Sequence, residues 1–167
     1  MESHEGNQSE YIELTPENAS NLVELRLSID ANKTEEKLKR EAEKFTTKEG
    51  YKAFLSKQGE VFTGYVQVIL KEDHLHEGAP HIEGLEELAH LARIGVISEL
   101  QGQGIGPGLL AKAEEWAKEH GRKGMWLGYL VSNEPALKLY ARSGYKDVVE
   151  FMDPKKGQMR RIATKYF

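Results

Sequence analysis

LARIGVISELQGQGIGPGLLAKAEEWAKEH, Leu91 to His120, decides the fold. An apolar run ends in a glycine-rich turn, and a long amphipathic stretch follows. Three glycines in five positions, Gly102, Gly104 and Gly106, leave a turn without Cβ atoms, so its backbone can approach a ligand closely. Pro107 suits the first turn of the helix that follows. Amides freed at a helix N-terminus point outward and carry partial positive charge, which suits a phosphate. The same residues would also serve as a plain turn between a strand and a helix.

Spacing narrows the ligand. A dinucleotide fingerprint needs G-x-G-x-x-G. From Gly102 its third glycine would fall on Pro107, and from Gly104 on Leu109. A Walker loop fails too, because Lys112 follows Ala111 where Gly-Lys is required. Q-x-x-G-x-G fits, on Gln101, Gly104 and Gly106. Downstream, an apolar segment from Met125 to Val131 leads into Asn133-Glu134-Pro135-Ala136-Leu137-Lys138-Leu139-Tyr140, then Ser143-Gly144-Tyr145. The two motifs, in this order and about a strand apart, resemble the acyl-CoA loop and the N-x-x-A-x-x-L-Y-x-x-x-G-[FY] segment of the GNAT family of N-acetyltransferases. The detailed resemblance covers Leu91 to Tyr145, about a third of the chain.

The flanking chain agrees in the order of its elements. Met1 to Glu10 is polar and acidic and reads as a disordered tail, leaving 11–167 as one domain. Tyr11 to Leu14 predicts a short strand. Thr15, Pro16 and Glu17 predict a helix start, with Leu22, Leu25 and Ile29 at helical spacing. Thr34 caps a second helix with Leu38, Ala42 and Phe45 as its apolar stripe. Tyr51 to Lys57 and Val61 to Leu70 read as strands around Gln58-Gly59. Lys71 to Glu87 is a polar loop. Its His74, His76 and His81 make a metal site conceivable, against a solvated loop or one that shapes an acceptor pocket. Leu88 to Val96 is the strand before the turn. Glu134 to Ser143 is a short helix, and the last two strands flank Asp153-Pro154-Lys155-Lys156-Gly157. The order β-α-α-β-β-β-α-β-α-β-β is α+β. The resemblance implies a mixed, mostly antiparallel central sheet flanked by helices.

Composition excludes several classes. The 167 residues suit one domain with a core. A net charge of −4 without a basic cluster argues against nucleic acid. No run approaches the ~20 apolar residues of a membrane span. Cysteine is absent, which removes disulfides, thiol nucleophiles and thiolate metal sites, and fits a cytoplasmic protein.

The resemblance implies acetyl transfer from acetyl-CoA to a primary amine, on a small molecule or a peptide, with no metal. Backbone amides of Gln101, Gly102, Gln103, Gly104, Ile105 and Gly106 would take the pyrophosphate. The strand at Ile94 to Val96 would splay from its neighbour and pair with the pantetheine arm. Asn133 would bond that arm, cap the next helix, or both. Tyr140 stands where the family often places its general acid; the alternative is an amphipathic core tyrosine on the short helix. His90 stands where it often has a carboxylate, so His90 is the candidate base, with Glu86 and Glu87 as alternatives. Such transfer asks little covalent chemistry of a protein: a neutral amine, a donor for the oxyanion, help for the leaving thiolate, and alignment. A different class stays open, an acyl-CoA-binding sensor without turnover; the presence of Tyr140 argues against it. The sequence also leaves a homodimer open.

Overall fold

The structure is a computed structural model, and it describes residues 8–30, 32–72 and 75–167. Its strands are β1 (Glu10–Glu13), β2 (Tyr51–Gln58), β3 (Val61–Ile69), β4 (Ala89–Val96), β5 (Gly124–Leu130), β6 (Lys146–Asp153) and β7 (Gln158–Tyr166). Its helices are α1 (Ala19–Ile29), α2 (Glu35–Thr47), α3 (Ile105–Glu119) and α4 (Glu134–Arg142). The order of elements matches the expected one, and the sheet order is β1-β2-β3-β4-β5-β7-β6. By contact density the chain divides into two compact units. One comprises Met1–Val68 and Ala92–Ala113, the other Ile69–Leu91 and Glu114–Phe167.

In the first unit, Glu10 already belongs to β1, pairing with Lys57, so the first strand starts one residue earlier than expected. Residues 1–7 lie outside the described ones. The first helix starts at Ala19, later than a Thr15 cap implies. Thr15 N donates to Asn18 Oδ1 at 2.8 Å and Asn18 N to the Thr15 carbonyl at 3.2 Å, closing a turn that delays the helix. Thr34 does cap α2, accepting from Lys37 N at 3.2 Å. Leu38, Ala42 and Phe45 are buried as their i, i+4, i+7 spacing requires.

Arg26 is 1% exposed and needs partners there. Its Nε donates to Asp30 Oδ2 at 2.8 Å and its Nη1 to Glu41. Tyr65 donates its hydroxyl to the same Asp30 oxygen at 2.8 Å. The Tyr65 ring then lies under β4: a Cβ at Gly95 would stand 2.7 Å from it. Glycine at 95 is therefore a packing requirement, tying the end of β4 to this buried network.

In the second unit, β4 and β5 run parallel, with Ala89 opposite Met125 and His90 opposite Trp126. β7 pairs antiparallel with both β5 and β6. Leu85, Leu88, Trp126, Phe151 and Ile162 form a core cluster. Leu75, Ala79 and Ile82 pack against that cluster. The segment between β3 and β4 is thus not simply a solvated loop: its apolar residues anchor it on one face of β5, β6 and β7.

Candidate active site

Glycine geometry shapes the turn after β4. Gly102 and Gly104 have φ of 84° and 85°, the left-handed region that other residues avoid, and a Cβ at either would meet only open space. The constraint there is conformational, and the concave side is clear. Among the described residues, the amides of Gly102 through Gly106 donate no backbone hydrogen bond. Gly108 N donates to the Gly104 carbonyl at 3.1 Å, which starts the helix. Five successive free amides stand at the N-terminus of a 15-residue helix, a geometry that suits an anion. Gln101 has a different part. Its own amide turns to the Ser98 carbonyl, and its side chain donates to the Val96 carbonyl at 3.3 Å, bracing the turn against the end of β4. Ile97 N donates to the Thr63 carbonyl at 2.9 Å. Ile94, Val96 and Gln101 to Gly106 all lie in the first unit, with Gln101 bonded to Val96.

His90, Asn133 and Tyr140 belong to the second unit. Among the described residues the β4–β5 ladder comprises the two pairs at Ala89 and His90, and it ends there. Asn133 Oδ1 accepts from Ala136 N at 3.2 Å, so its capping role is real, and its amide nitrogen is left for another partner.

Tyr140 is buried on α4 between Tyr129 and Tyr145, with ring centroids 5.6 and 6.0 Å away. Burial, with Tyr129 adding to it, pushes its hydroxyl up to about 12. Beside it is a cavity of about 110 Å³ lined by Tyr129, Leu137, Tyr145, Asp147 and Arg161 as well. Tyr129 donates to Asp147 at 2.8 Å, giving that cavity a polar wall.

The His90 ring stacks on Trp126 with centroids 3.9 Å apart and 12° between planes. Its Nδ1 is buried without a hydrogen bond, 3.8 Å from Glu72 Oε2. Burial lowers its pKa, and Glu72 opposes that shift. Such a ring is neutral, as a base must be, but it is walled in by the indole. Trp126 and Tyr129 are three residues apart on β5, so they point to opposite faces. The two proton-transfer candidates therefore stand on opposite faces of one strand.

Sequence reading passed over His76 as a group for acid–base chemistry. Its ring is partly buried over Gly128, where a Cβ would lie 2.9 Å from Nε2. Burial, then Arg160 and His90, lower its pKa to about 4, against Asp153 and Glu72. Among the described residues no cluster of three His, Cys, Asp or Glu could hold a metal, and His74 lies outside them.

The two histidines make a stability prediction. Both bind a proton less readily folded than unfolded, so the unfolded state takes up more protons as acid is added. Stability should be full above about pH 6.5, the ordinary histidine value, and should fall as the pH drops toward about 4. Urea midpoints at pH 7.5 and 4.5 measure this. Equal midpoints would mean that neither ring is held neutral by the fold.

A turn of free amides thus opens α3, after a strand whose pairing with β5 stops early, in a mixed α+β fold. The model of the acetyltransferase (GNAT) family matches residues 19–145, and the chain belongs to that family. An uncharacterized N-acetyltransferase of Methanocaldococcus jannaschii is 38% identical over 63 residues, which are 36% of this chain and 27% of that protein. The match thus spans about a quarter of that relative's length. Solved structures share the fold. The ribosomal-protein-S18-alanine N-acetyltransferase of Escherichia coli gives a TM-score of 0.72 at 17% identity, covering 95% of this chain and 94% of that one. Arabidopsis thaliana NAA60 in complex with acetyl-CoA gives 0.73 at 14%, covering 96% and 99%.

Proposed function

We propose that this protein transfers the acetyl group of acetyl-CoA to a primary amine, by direct attack of the amine on the thioester. The observation that carries this reading is the run of five unbonded amides from Gly102 to Gly106, on a turn where Gly102 and Gly104 sit at positive φ. That cradle fits a pyrophosphate, and its spacing fits neither a dinucleotide fingerprint nor a Walker loop. The cosubstrate supplies an activated acyl carbon. Ile94 and Val96 offer backbone groups beyond the end of the β4–β5 ladder to the pantetheine arm, and the Asn133 side-chain amide adds a bond.

Tyr140 donates from its hydroxyl to the departing sulfur. Held up at about 12, it keeps its proton at neutral pH. Full transfer to a thiolate, whose ordinary range is near 8.5, runs uphill, so the hydroxyl acts chiefly as a hydrogen-bond donor. On the other face of β5, the His90–Glu72 pair stands behind the amine as proton acceptor, reached through an intermediary because its own ring is covered.

Calorimetry tests the carrier site. Acetyl-CoA should bind with NADH present at the same concentration, and NADH alone should bind poorly. Tight NADH binding with acetyl-CoA ignored would end the acetyltransferase reading. The acceptor is a primary amine of a small molecule or a peptide. A panel for it comprises spermidine, 2-phenylethylamine and a peptide with a free N-terminal alanine.

A further inference from the structure

His76 sits in the long connection between β3 and β4, yet its position is built. Leu75 on one side and Ala79 and Ile82 on the other pack on the Leu88–Trp126–Ile162 cluster, so the histidine is carried on an anchored segment. Ala79 N donates to the His76 carbonyl at 3.0 Å and closes the backbone there. The ring lies on the bare face of Gly128. A side chain at 128 would collide with Nε2 at 2.9 Å and Cδ2 at 3.0 Å, so the ring occupies the place such a side chain would take. Gly128 is two residues beyond Trp126, the last β5 residue paired with β4, and shares its face. His76 therefore stands next to the His90–Trp126 stack, on the side toward which the ladder has opened.

The charged groups acting on the ring are Arg160 from β7, Asp153 from β6, His90 from β4 and Glu72 from its own segment. Burial is the largest of the influences on the ring, which is neutral at physiological pH. Its side chain makes no hydrogen bond among the described residues, unlike His120, whose Nδ1 is 2.8 Å from the Trp116 carbonyl. It is also less covered than His90.

We infer that His76, laid over Gly128 where the β4–β5 ladder has ended, is the group that takes the proton from the acceptor amine, with the His90–Glu72 pair behind it. This rests on the acetyl-transfer reading above. The amine loses its first proton to solvent and attacks as R–NH₂, and its nitrogen, made acidic once bonded to carbon, gives the second proton to an unprotonated nitrogen of His76. The freed lone pair forms the C–N bond at the thioester carbon, and the carbonyl π pair moves to oxygen. That pair returns as the C–S bond breaks, its electrons leaving on sulfur. The second proton lost from nitrogen balances the one the thiolate takes up. The net products are R–NH–acetyl, free coenzyme A and one proton, the first that the amine lost.

The test uses the full chain and three substitutions. His76→Gln keeps size and polarity and removes basicity. Gly128→Ala leaves the histidine in place and displaces its ring. His81→Gln, at an exposed loop position, is the control. With the most active amine of the panel, His76→Gln and Gly128→Ala should each lower kcat by ~10-fold, below the usual general-base range because a base weakened by burial contributes less. Acetyl-CoA affinity should stay within threefold, and His81→Gln should match wild type.

An independent readout needs no turnover. In the free protein, NMR titration of the ring should place His76 well below the ordinary histidine value, and Gly128→Ala should move it back toward that value. Unchanged kcat in His76→Gln, or a His76 ring that titrates at the ordinary histidine value, overturns the proposal. If His76→Gln does not fold, the titration and Gly128→Ala still decide it. Wild type that binds acetyl-CoA but acetylates no amine overturns the transfer reading and the base with it. Wild type that acetylates while both variants match it overturns the base alone.

Discussion

Replacing Gly104 with valine should weaken acetyl-CoA binding by at least 100-fold, about 2.7 kcal/mol. Space does not oppose the new side chain, since nothing lies within 4 Å of a Cβ at 104. The backbone does. At φ 85° a β-branched residue is strongly disfavoured, and holding such a conformation costs ~1–3 kcal/mol. The loop then either keeps its shape under strain or relaxes and turns its amides away from the phosphate. Thermal stability should change less than binding, because the loop carries no buried core residue between Gln101 and Gly104. Calorimetry on Gly104→Val beside a melting curve separates the two effects. Wild-type affinity in the variant would mean that the pyrophosphate is held elsewhere.

Tyr140→Phe should lower kcat on the order of 10–100-fold while acetyl-CoA affinity changes less than about threefold. The substitution keeps the ring contacts with Tyr129 and Tyr145 and removes only the hydroxyl. A hydrogen bond to the departing sulfur strengthens as charge develops there, so its loss appears in the transition state and not in binding. The low end of general-acid effects applies for two reasons. A thiolate leaves tolerably well unaided, and a hydroxyl pushed up to about 12 contributes by hydrogen bonding more than by giving up its proton. Full activity, measured where chemistry limits turnover, would remove Tyr140 from the mechanism. Equal losses in rate and affinity would make it a contact to the cosubstrate.

Most of the fold is legible in the sequence because its signals are local. The cap at Thr34 and the stripe of Leu38, Ala42 and Phe45 lie within one helix. The glycines at 102 and 104 declare their left-handed backbone by having no Cβ. The motif from Asn133 to Tyr145 is contiguous, and its helix forms where the spacing places it. What escapes the sequence is non-local. Thr15 looks like a cap, and only its hydrogen bonds with Asn18 show that a turn comes first. The insertion of β7 between β5 and β6 follows from sheet pairing and leaves no mark on either strand. The segment from Lys71 to Glu87 reads as a polar loop because Leu75, Ala79 and Ile82, though spaced i, i+4, i+7, are interrupted by Gly78 and Pro80 and set among charged residues. They recognise a core cluster built from residues as far away as Ile162.

The site divides in the same way. Its anion cradle is written in consecutive residues and can be read directly. Its proton-handling side depends on which ring lies over which strand. His90 holds an alternating position on β4 that suggests an open face, yet Trp126 from the neighbouring strand covers it. His76 sits among acids in a loop and looks solvated, yet Gly128, 52 residues later, gives its ring a seat. A glycine inside a strand is the one available signal, since such positions often mark close approach by another group.

The central claim is that this chain transfers an acyl group and does not merely bind its carrier. The most direct measurement incubates the purified protein with acetyl-CoA and each amine of the panel, follows free thiol over time, and weighs the amine product by mass spectrometry. The account predicts thiol release that depends on an amine, with a product heavier by one acetyl group and in equal amount. Acetyl-CoA that binds in calorimetry while no amine gains an acetyl group would contradict the account and leave an acyl-CoA-binding sensor in its place.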